Sequence, residues 1–117
     1  YRKICFESKS AMTLTFSFCI NFFLGLVALW PLLLGPVLIV ITLGQVVSKK
    51  EGWSRFDGVY WSMITATTVG YGDFRPTTRL TKFLSLMIAF TGLIFTGILV
   101  AIAVHAASLA LEANKVN

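Results

Sequence analysis

The sequence predicts an all-α membrane protein in which two transmembrane helices flank a short re-entrant helix and a glycine-rich loop, preceded by a further helix at the N-terminus. The first observation is compositional: the 117 residues are 56% hydrophobic and 13% charged, whereas a typical soluble domain carries about 25% charged residues. The second is that residues 11–48 and 83–111 contain no Asp, Glu, Lys or Arg, and each block exceeds the ~20 apolar residues that cross a bilayer. A soluble enzyme, a disordered tail and a secreted disulfide scaffold are therefore excluded.

The first apolar block is subdivided by two prolines, Pro31 and Pro36. As one helix the block would be about 57 Å long, which is too long for one upright span through ~30 Å of hydrocarbon and too short for two spans with a solvated turn. We therefore predict an N-terminal helix within residues 1–28, lying at the membrane interface or packed against the bundle, and an outer helix over residues 29–47. One long tilted helix with a kink at the prolines is the alternative. In either arrangement Asn21 lies in an apolar setting and needs a hydrogen-bond partner.

The polar segment between the two blocks, residues 49–82, contains an apolar stretch of its own. Ser54 followed by Asp57 is typical of a helix N-cap with an acid three residues later. Residues 56–67 are rich in Tyr, Trp, Met and Ile, and this stretch is too short to cross a bilayer and too apolar for open water. We therefore predict a re-entrant helix over these residues.

The loop after the short helix, Thr68-Val69-Gly70-Tyr71-Gly72, holds two glycines in three residues. Glycine reaches positive φ without strain, and alternating the handedness of successive residues points consecutive carbonyl groups in one direction. A strip of carbonyls at membrane depth is tolerable only where it lines an aqueous path. Four strips around one axis would form stacked oxygen rings that replace the water shell of a cation, with the Thr68 hydroxyl adding a ring at the inner end. Val69 and Tyr71 would point away from the axis and wedge against the short helix, whose C-terminus favours a cation through its partial negative charge.

The run Thr65-Ala66-Thr67-Thr68-Val69-Gly70-Tyr71-Gly72-Asp73 resembles the signature sequence of potassium channels. The order of span, pore helix, selectivity filter and span resembles their two-transmembrane pore module over roughly residues 29–110, with the pore helix over 56–67 and the filter over 68–73. An ordinary glycine-rich turn between two helices is the competing interpretation. It explains neither the aromatic helix before the loop nor the flanking spans.

The resemblance implies a potassium-selective pore that catalyses no reaction and takes no cofactor. The permeant ion is K⁺, which is held at Thr68, Val69, Gly70 and Tyr71, and Gly72 completes the filter. It implies a four-fold homotetramer of the chain with three identical copies, because each chain holds one filter strip. Membrane lipid is a further expected partner, a cytoplasmic regulatory domain outside this chain is left open, and no nucleic acid is expected. A non-conducting or regulatory membrane subunit, or one subunit of a larger potassium transporter, is the alternative function.

The orientation of the chain rests on the same resemblance, which turns Gly72 outward and places both termini in the cytoplasm of a multi-pass cell-membrane protein. The formal charge is +5, and basic residues beside hydrophobic spans favour phospholipid headgroups as their partner. The positive-inside rule favours the reverse orientation, because residues 49–82 include six Lys and Arg. That rule weakens if Arg79 and Lys82 belong to the second helix, and the direction of the filter overrules it.

Residues around the filter are candidates for its support. In some prokaryotic members of the family that the chain resembles, a Glu in the pore helix interacts with the filter Asp. This chain has Ile64 at that position. Inactivation behaviour tied to that carboxyl pair is therefore not expected to carry over. We predict that Thr67, Asp73, Tyr60 and Trp61 support the filter, with either Tyr60 or Trp61 donating a hydrogen bond to Asp73.

The second span, an inner helix over residues 78–110, holds the gating candidates Gly92, Gly97 and His105, and a cytoplasmic tail, complete or truncated, follows over residues 111–117. Related channels place a bending point near Gly92, and the alternative is that this glycine only allows close helix packing. Gly97 and His105 share one helix face because they are spaced at steps of four. His105 either faces the inner pore or is a structural group with a partner or a lipid headgroup.

Overall fold

Among residues 2–116, which the computed structural model describes, the chain forms four helices: α1 (Arg2–Ala28), α2 (Trp30–Glu51), α3 (Arg55–Ala66) and α4 (Arg79–Val116). The predicted all-α class is confirmed. By length and composition, α1, α2 and α4 are each long and apolar enough to cross a membrane, which is one helix more than the two predicted spans. Tyr1 and Asn117, which belong to the predicted N-terminal helix and tail, lie outside the described residues.

The helical path breaks at Leu29, one residue before α2 begins. The Leu29 N–H still donates to the Gly25 carbonyl at 3.1 Å. Pro31 follows in the first turn of α2, where its missing N–H costs little, and Pro36 lies inside α2 without ending it. The segment is therefore helical on both sides of a one-residue break at Leu29.

The helix ends differ from the predicted ends by a few residues. α2 continues past residue 47 to Glu51, and two lysines in its last turn favour that extension because cations stabilise a helix C-terminus. Ser54 caps α3, since its Oγ accepts the Asp57 N–H at 3.1 Å, and this confirms the predicted N-cap. Residues 111–116, predicted as a tail, continue α4.

The described chain divides into two compact units. The filter unit, Pro31–Ile98, contains most of α2, all of α3 and the first part of α4. The terminal unit combines residues 2–30 with residues 99–116, which are α1, the first residue of α2 with the residue before it, and the last part of α4.

The core of the filter unit lies where α2, α3 and α4 meet. Trp61 of α3 is 4% exposed, and Ile88 of α4 is fully buried. The other members of this cluster are the buried Val40, Val47 and Ala66 and the partly buried Leu43, Trp53, Phe74 and Leu84. Because α3 contributes to this core along its length, the core positions the loop that follows α3.

In the terminal unit α1 runs antiparallel to the last part of α4. Ser10 Oγ donates to Asn114 Oδ1 at 3.2 Å. At Gly25, fifteen residues after Ser10 on α1, an added Cβ would lie 2.8 Å from Cγ2 of Ile102 on α4. The buried residues of this unit are all on α4, namely Ile102, Ala106 and Ala110, whereas α1 has none.

Several polar side chains in the apolar part of α1 hydrogen-bond within the helix itself. Asn21 Nδ2 donates to the Ser17 carbonyl at 2.9 Å, which supplies the partner that its apolar setting requires. Thr13 Oγ1 likewise donates to the Lys9 carbonyl at 2.7 Å. These groups are therefore satisfied without a second helix.

Candidate functional site

The loop after α3 has a backbone that alternates in handedness. Thr68, Gly70 and Gly72 have positive φ values of 63°, 52° and 79°, and Val69 and Tyr71 between them do not. The alternation predicted from the two glycines is therefore present, and it extends to Thr68. Positive φ costs a residue with a Cβ roughly 1–2 kcal/mol, so the surrounding contacts must hold Thr68 in place. Such alternation turns successive carbonyl groups toward the same side of the strip.

The inner end of this strip is anchored to the last turn of α3. Thr67 is the C-cap of α3, and its side-chain Oγ1 donates to the Met63 carbonyl at 2.8 Å. Farther along, the Gly70 N–H donates to the Ile64 carbonyl at 3.1 Å. The second bond folds the strip back onto the helix that precedes it, and it uses a carbonyl that the end of α3 leaves without a helical partner.

The outer end of the strip is held by aromatic packing. Phe74, two residues past Gly72, stacks edge-on against Trp53 with ring centroids 5.1 Å apart, and Tyr60 lies 6.3 Å from Phe74. Trp53 in turn packs edge-on against Trp61 at 5.4 Å. Edge-to-face contacts of this kind add about 0.5–1.5 kcal/mol each beyond the area they bury, so the α2–α3 loop and α3 together fix the chain just after the glycines.

Tyr60 and Trp61, both predicted to support the filter, occupy different surroundings. Trp61 points into the core and packs against Trp53. Tyr60 is half-buried, and its burial and the nearby Asp73 carboxylate raise the pKa of its phenol. Of the two alternatives for contact with Asp73, the surroundings favour Tyr60.

Glu51, which the sequence analysis did not single out, joins the end of α2 to the start of α4. The Thr77 N–H and hydroxyl donate to its two carboxylate oxygens at 2.8 and 2.7 Å, and the hydroxyl of the fully buried Thr81 also donates to the carboxylate. Thr78 caps α4, because its Oγ1 accepts the Thr81 N–H at 3.2 Å. The segment that leaves the filter is therefore tied to the outer helix.

The carboxylate of Glu51 lies beyond the apolar stretch of α2, which ends at Val47, in the polar segment 49–82. Hydrogen bonds from Thr81 and Thr77 lower its pKa from 4.5 to about 2. All of these donors favour the ionised form. In the sequence, this contact was indicated by an isolated acid at the end of one long apolar helix and three threonines near the start of the other, α4.

Two pairs of small residues bring α3 against α2, and they too escaped the sequence analysis. A Cβ added at Gly44 would lie 2.5 Å from the Ser62 side chain, and one at Gly58 would lie 2.6 Å from Ser48 Cβ. Gly44 and Ser48 are four residues apart on α2, as are Gly58 and Ser62 on α3. That spacing of small residues is typical of close helix packing in membranes, and it was visible in the sequence.

Val69 and Tyr71, predicted to point away from the pore axis and to wedge against the short helix, are both exposed in the single chain. Val69 is 52% exposed and Tyr71 is 72% exposed.

Gly92, a gating candidate, lies directly against the C-terminal end of α3. A Cβ at this position would overlap the Ala66 carbonyl oxygen and would lie 2.6 Å from both Ala66 C and Cα. Of the two roles left open for Gly92, this contact favours close packing. Gly97 differs from Gly92, because an added Cβ at Gly97 would meet no atom of the described residues within 4 Å. The side chain of the third gating candidate, His105, is exposed.

Comparisons with known proteins show which family the chain resembles. The family model described as "Ion channel" matches residues 10–108. The chain is 44% identical over 62 residues to the TWiK family of potassium channels protein 7 of Caenorhabditis elegans, a match that covers 51% of this chain and 11% of that protein. It is 34% identical over 56 residues to Potassium channel protein 1 of Methanocaldococcus jannaschii, which covers 48% of this chain and 17% of that protein. It is 45% identical over 40 residues to the Voltage-gated potassium channel of Aeropyrum pernix, which covers 34% of this chain and 14% of that protein. The matches therefore span 11–17% of the length of these relatives. No solved structure matches the chain.

Proposed function

Because the chain belongs to the ion channel family, whose model covers residues 10–108, we propose that it forms the potassium-selective pore of a channel. The observation that carries the proposal is the alternation of positive φ at Thr68, Gly70 and Gly72, which lines up carbonyl oxygens as cation ligands. The names of the similar proteins, which are potassium channels, support the choice of ion.

In the proposed mechanism K⁺ exchanges its hydration shell for rings of filter oxygens. Thr68, Val69, Gly70 and Tyr71 supply the rings that hold the ion, and Gly72 supplies the outermost carbonyl. Sodium is penalised either by the size of the cavity or by the field strength of the carbonyls. The pore catalyses no reaction; it lowers the cost of moving a dehydrated cation across lipid.

The proposed pore is a homotetramer around a four-fold axis. One chain supplies one strip, and a closed ring of oxygens needs several strips, which symmetric association supplies. The exposure of Tyr71 at 72% supports this assembly, because a large aromatic side chain in the filter would be covered by a neighbouring copy. Three identical chains are the proposed partners.

We assign α3 as a re-entrant pore helix. Its 12 residues span about 18 Å, which is short of the ~30 Å hydrocarbon layer. In this placement its C-terminus, next to Thr68, directs partial negative charge at the ion path. Thr67, Asp73, Tyr60 and Trp61 support the strip in this proposal through the anchoring contacts described above.

We further propose that α2 and α4 are the two membrane crossings and that both termini lie on the cytoplasmic side of the cell membrane. The hydrogen bond between Ser10 and Asn114 supports a common side, because it places the beginning of α1 and the end of α4 at the same end of the terminal unit. Membrane lipid would cover the exposed apolar side chains of α1. Gating by Gly97 or His105 stays a proposal, and both residues are exposed as a pore-lining role requires.

The test is flux through the purified chain in liposomes, measured as reversal potentials in opposed K⁺ and Na⁺ gradients. We expect selective K⁺ flux from the wild type and its loss in Gly70→Ala, because a Cβ at positive φ opposes the required backbone. Gly52→Ala is a matched control: Gly52 also has positive φ, at 76°, and open space around it, but it lies outside the filter. Absence of flux in the wild type, or equal selectivity in all three proteins, would contradict the proposal.

A further inference from the structure

The polar segment between α2 and α4 carries an excess of positive charge. Residues 49–82 include six Lys and Arg and three Asp and Glu. In the proposed orientation this segment surrounds the outer entrance of a pore for cations. A positive potential there would repel the ions that the filter is built to accept, so the position of each cation relative to the filter matters.

Arg75 is the cation that contacts the filter itself. Its Nε donates a hydrogen bond to the Gly72 carbonyl at 3.0 Å, and a Cβ built at Gly72 would lie 3.6 and 3.7 Å from two guanidinium nitrogens of Arg75. Pro76 follows and restricts the Arg75 backbone to extended conformations. The guanidinium is thus held over the outermost carbonyl of the strip.

This contact acts on the outermost oxygen in two ways. A hydrogen bond from a charged donor is about twice as strong as one between neutral groups, and it withdraws electron density from a carbonyl that would otherwise serve as an ion ligand. The guanidinium also places a permanent positive charge within hydrogen-bond distance of that ligand. Four copies around an axis would form a ring of fixed cations at the outer entrance.

We propose that Arg75 is a conductance-determining residue, whose guanidinium on the Gly72 carbonyl limits the entry of K⁺ from the outer side. This inference rests on the proposed function. Inward current is limited by the entry step that Arg75 opposes, whereas outward current reaches the outermost ring only after passing the inner ones. The inner rings set selectivity, so Arg75 changes conductance and leaves the preference for K⁺ over Na⁺ unaltered.

The experiment compares single-channel currents of the reconstituted full chain with those of Arg75→Gln, Arg75→Lys and the control Arg79→Gln. Arg79, at the start of α4, carries the same charge and is exposed, and its side chain makes no hydrogen bond to a filter carbonyl among the described residues. Currents are recorded in both directions at about 10 mM and about 1 M K⁺, where the Debye length is about 30 and 3 Å. Native mass measurement verifies that each variant assembles as the wild type does.

We expect Arg75→Gln to raise inward conductance on the order of tenfold at about 10 mM K⁺ and to differ little from wild type at about 1 M. Arg75→Lys, which keeps the charge, should stay closer to wild type than Arg75→Gln does, and Arg79→Gln should change less. Unchanged inward conductance in Arg75→Gln, or an equal rise in Arg79→Gln or Arg75→Lys, would overturn the inference. A wild type without selective K⁺ flux would instead contradict the proposed function, so the two failures are distinguishable.

Discussion

The filter unit and the terminal unit are both built from apolar helices but differ in how closely these helices pack. In the filter unit Trp61 is 4% exposed and Gly92 meets the backbone of Ala66. In the terminal unit Phe16 is 68% exposed and Met12 is 70% exposed, and two of the three buried residues are alanines.

This difference shows that hydrophobicity alone does not select a packed core in a membrane protein. Lipid tails are as apolar as leucine, so association of helices there depends on close packing of small residues and on hydrogen bonds. The filter unit has both, in its Gly–Ser pairs and its Glu51–threonine cluster. We therefore expect resistance to unfolding to be concentrated around the filter, where the strip must be held in alternating backbone conformations.

The largest expected contrast is between Trp61→Ala and Phe16→Ala. Removing the buried indole should lower the free energy of unfolding by about 3–5 kcal/mol, because it leaves a cavity in the core of the filter unit. Removing the exposed phenyl ring of Phe16 should change it by no more than about 0.5 kcal/mol. Unfolding with a denaturing detergent in mixed micelles measures both, and similar values for the two variants would remove the distinction between the units.

A second contrast compares two glycines of α4 in the filter unit. Gly92→Ala should cost about 1–3 kcal/mol, because the added methyl group displaces the end of α3, and it should also alter K⁺ over Na⁺ selectivity by moving the start of the strip. Gly97→Ala should be close to wild type in stability. Thermal unfolding and reversal potentials report the two effects separately. A Gly92→Ala protein of normal stability and selectivity but altered open probability would favour the hinge role instead.

The smallest expected effect concerns Glu51, and its pH dependence gives the sharpest signature. Because the folded pKa is about 2 and the ordinary value is 4.5, the ionised carboxylate stabilises the fold above about pH 4.5, and this contribution is lost as the pH falls toward 2. Glu51→Gln should therefore lower the melting temperature at pH 7 and converge with the wild type in acid. Glu7→Gln, which changes an exposed carboxylate of the terminal unit, is the control. If the melting curves of Glu51→Gln and wild type coincide at pH 7, the carboxylate does not hold α2 to α4.

Several features of the site were predictable because their cause is local. The N-cap at Ser54 follows from a short polar side chain three residues before an acid. The positive φ of Gly70 and Gly72 follows from the absence of a Cβ. Positive φ at Thr68 was not predictable from its residue type, because a Cβ disfavours it, and the Thr67 cap and the Gly70–Ile64 hydrogen bond lie on either side of this residue.

The surroundings of the side chains were less predictable. Residue type does not show that Phe74 and Trp53 pack together against the core of the filter unit, and the wedge predicted for Val69 and Tyr71 stays a prediction. The pairs of small residues at spacing four were visible in the sequence, but nothing in either segment alone shows which pair meets which.

By itself, the sequence determined that this chain is helical and apolar enough for a membrane and that its loop holds the glycines an alternating strip needs. These properties depend on residue type and on spacing along a single segment, which the chain carries with it before it folds. Only the tertiary structure decided that Gly92 abuts Ala66 and that Glu51 binds Thr77, 26 residues away. Such contacts depend on which helix faces pack together, and packing is settled by the shapes of distant side chains rather than by the composition of either helix.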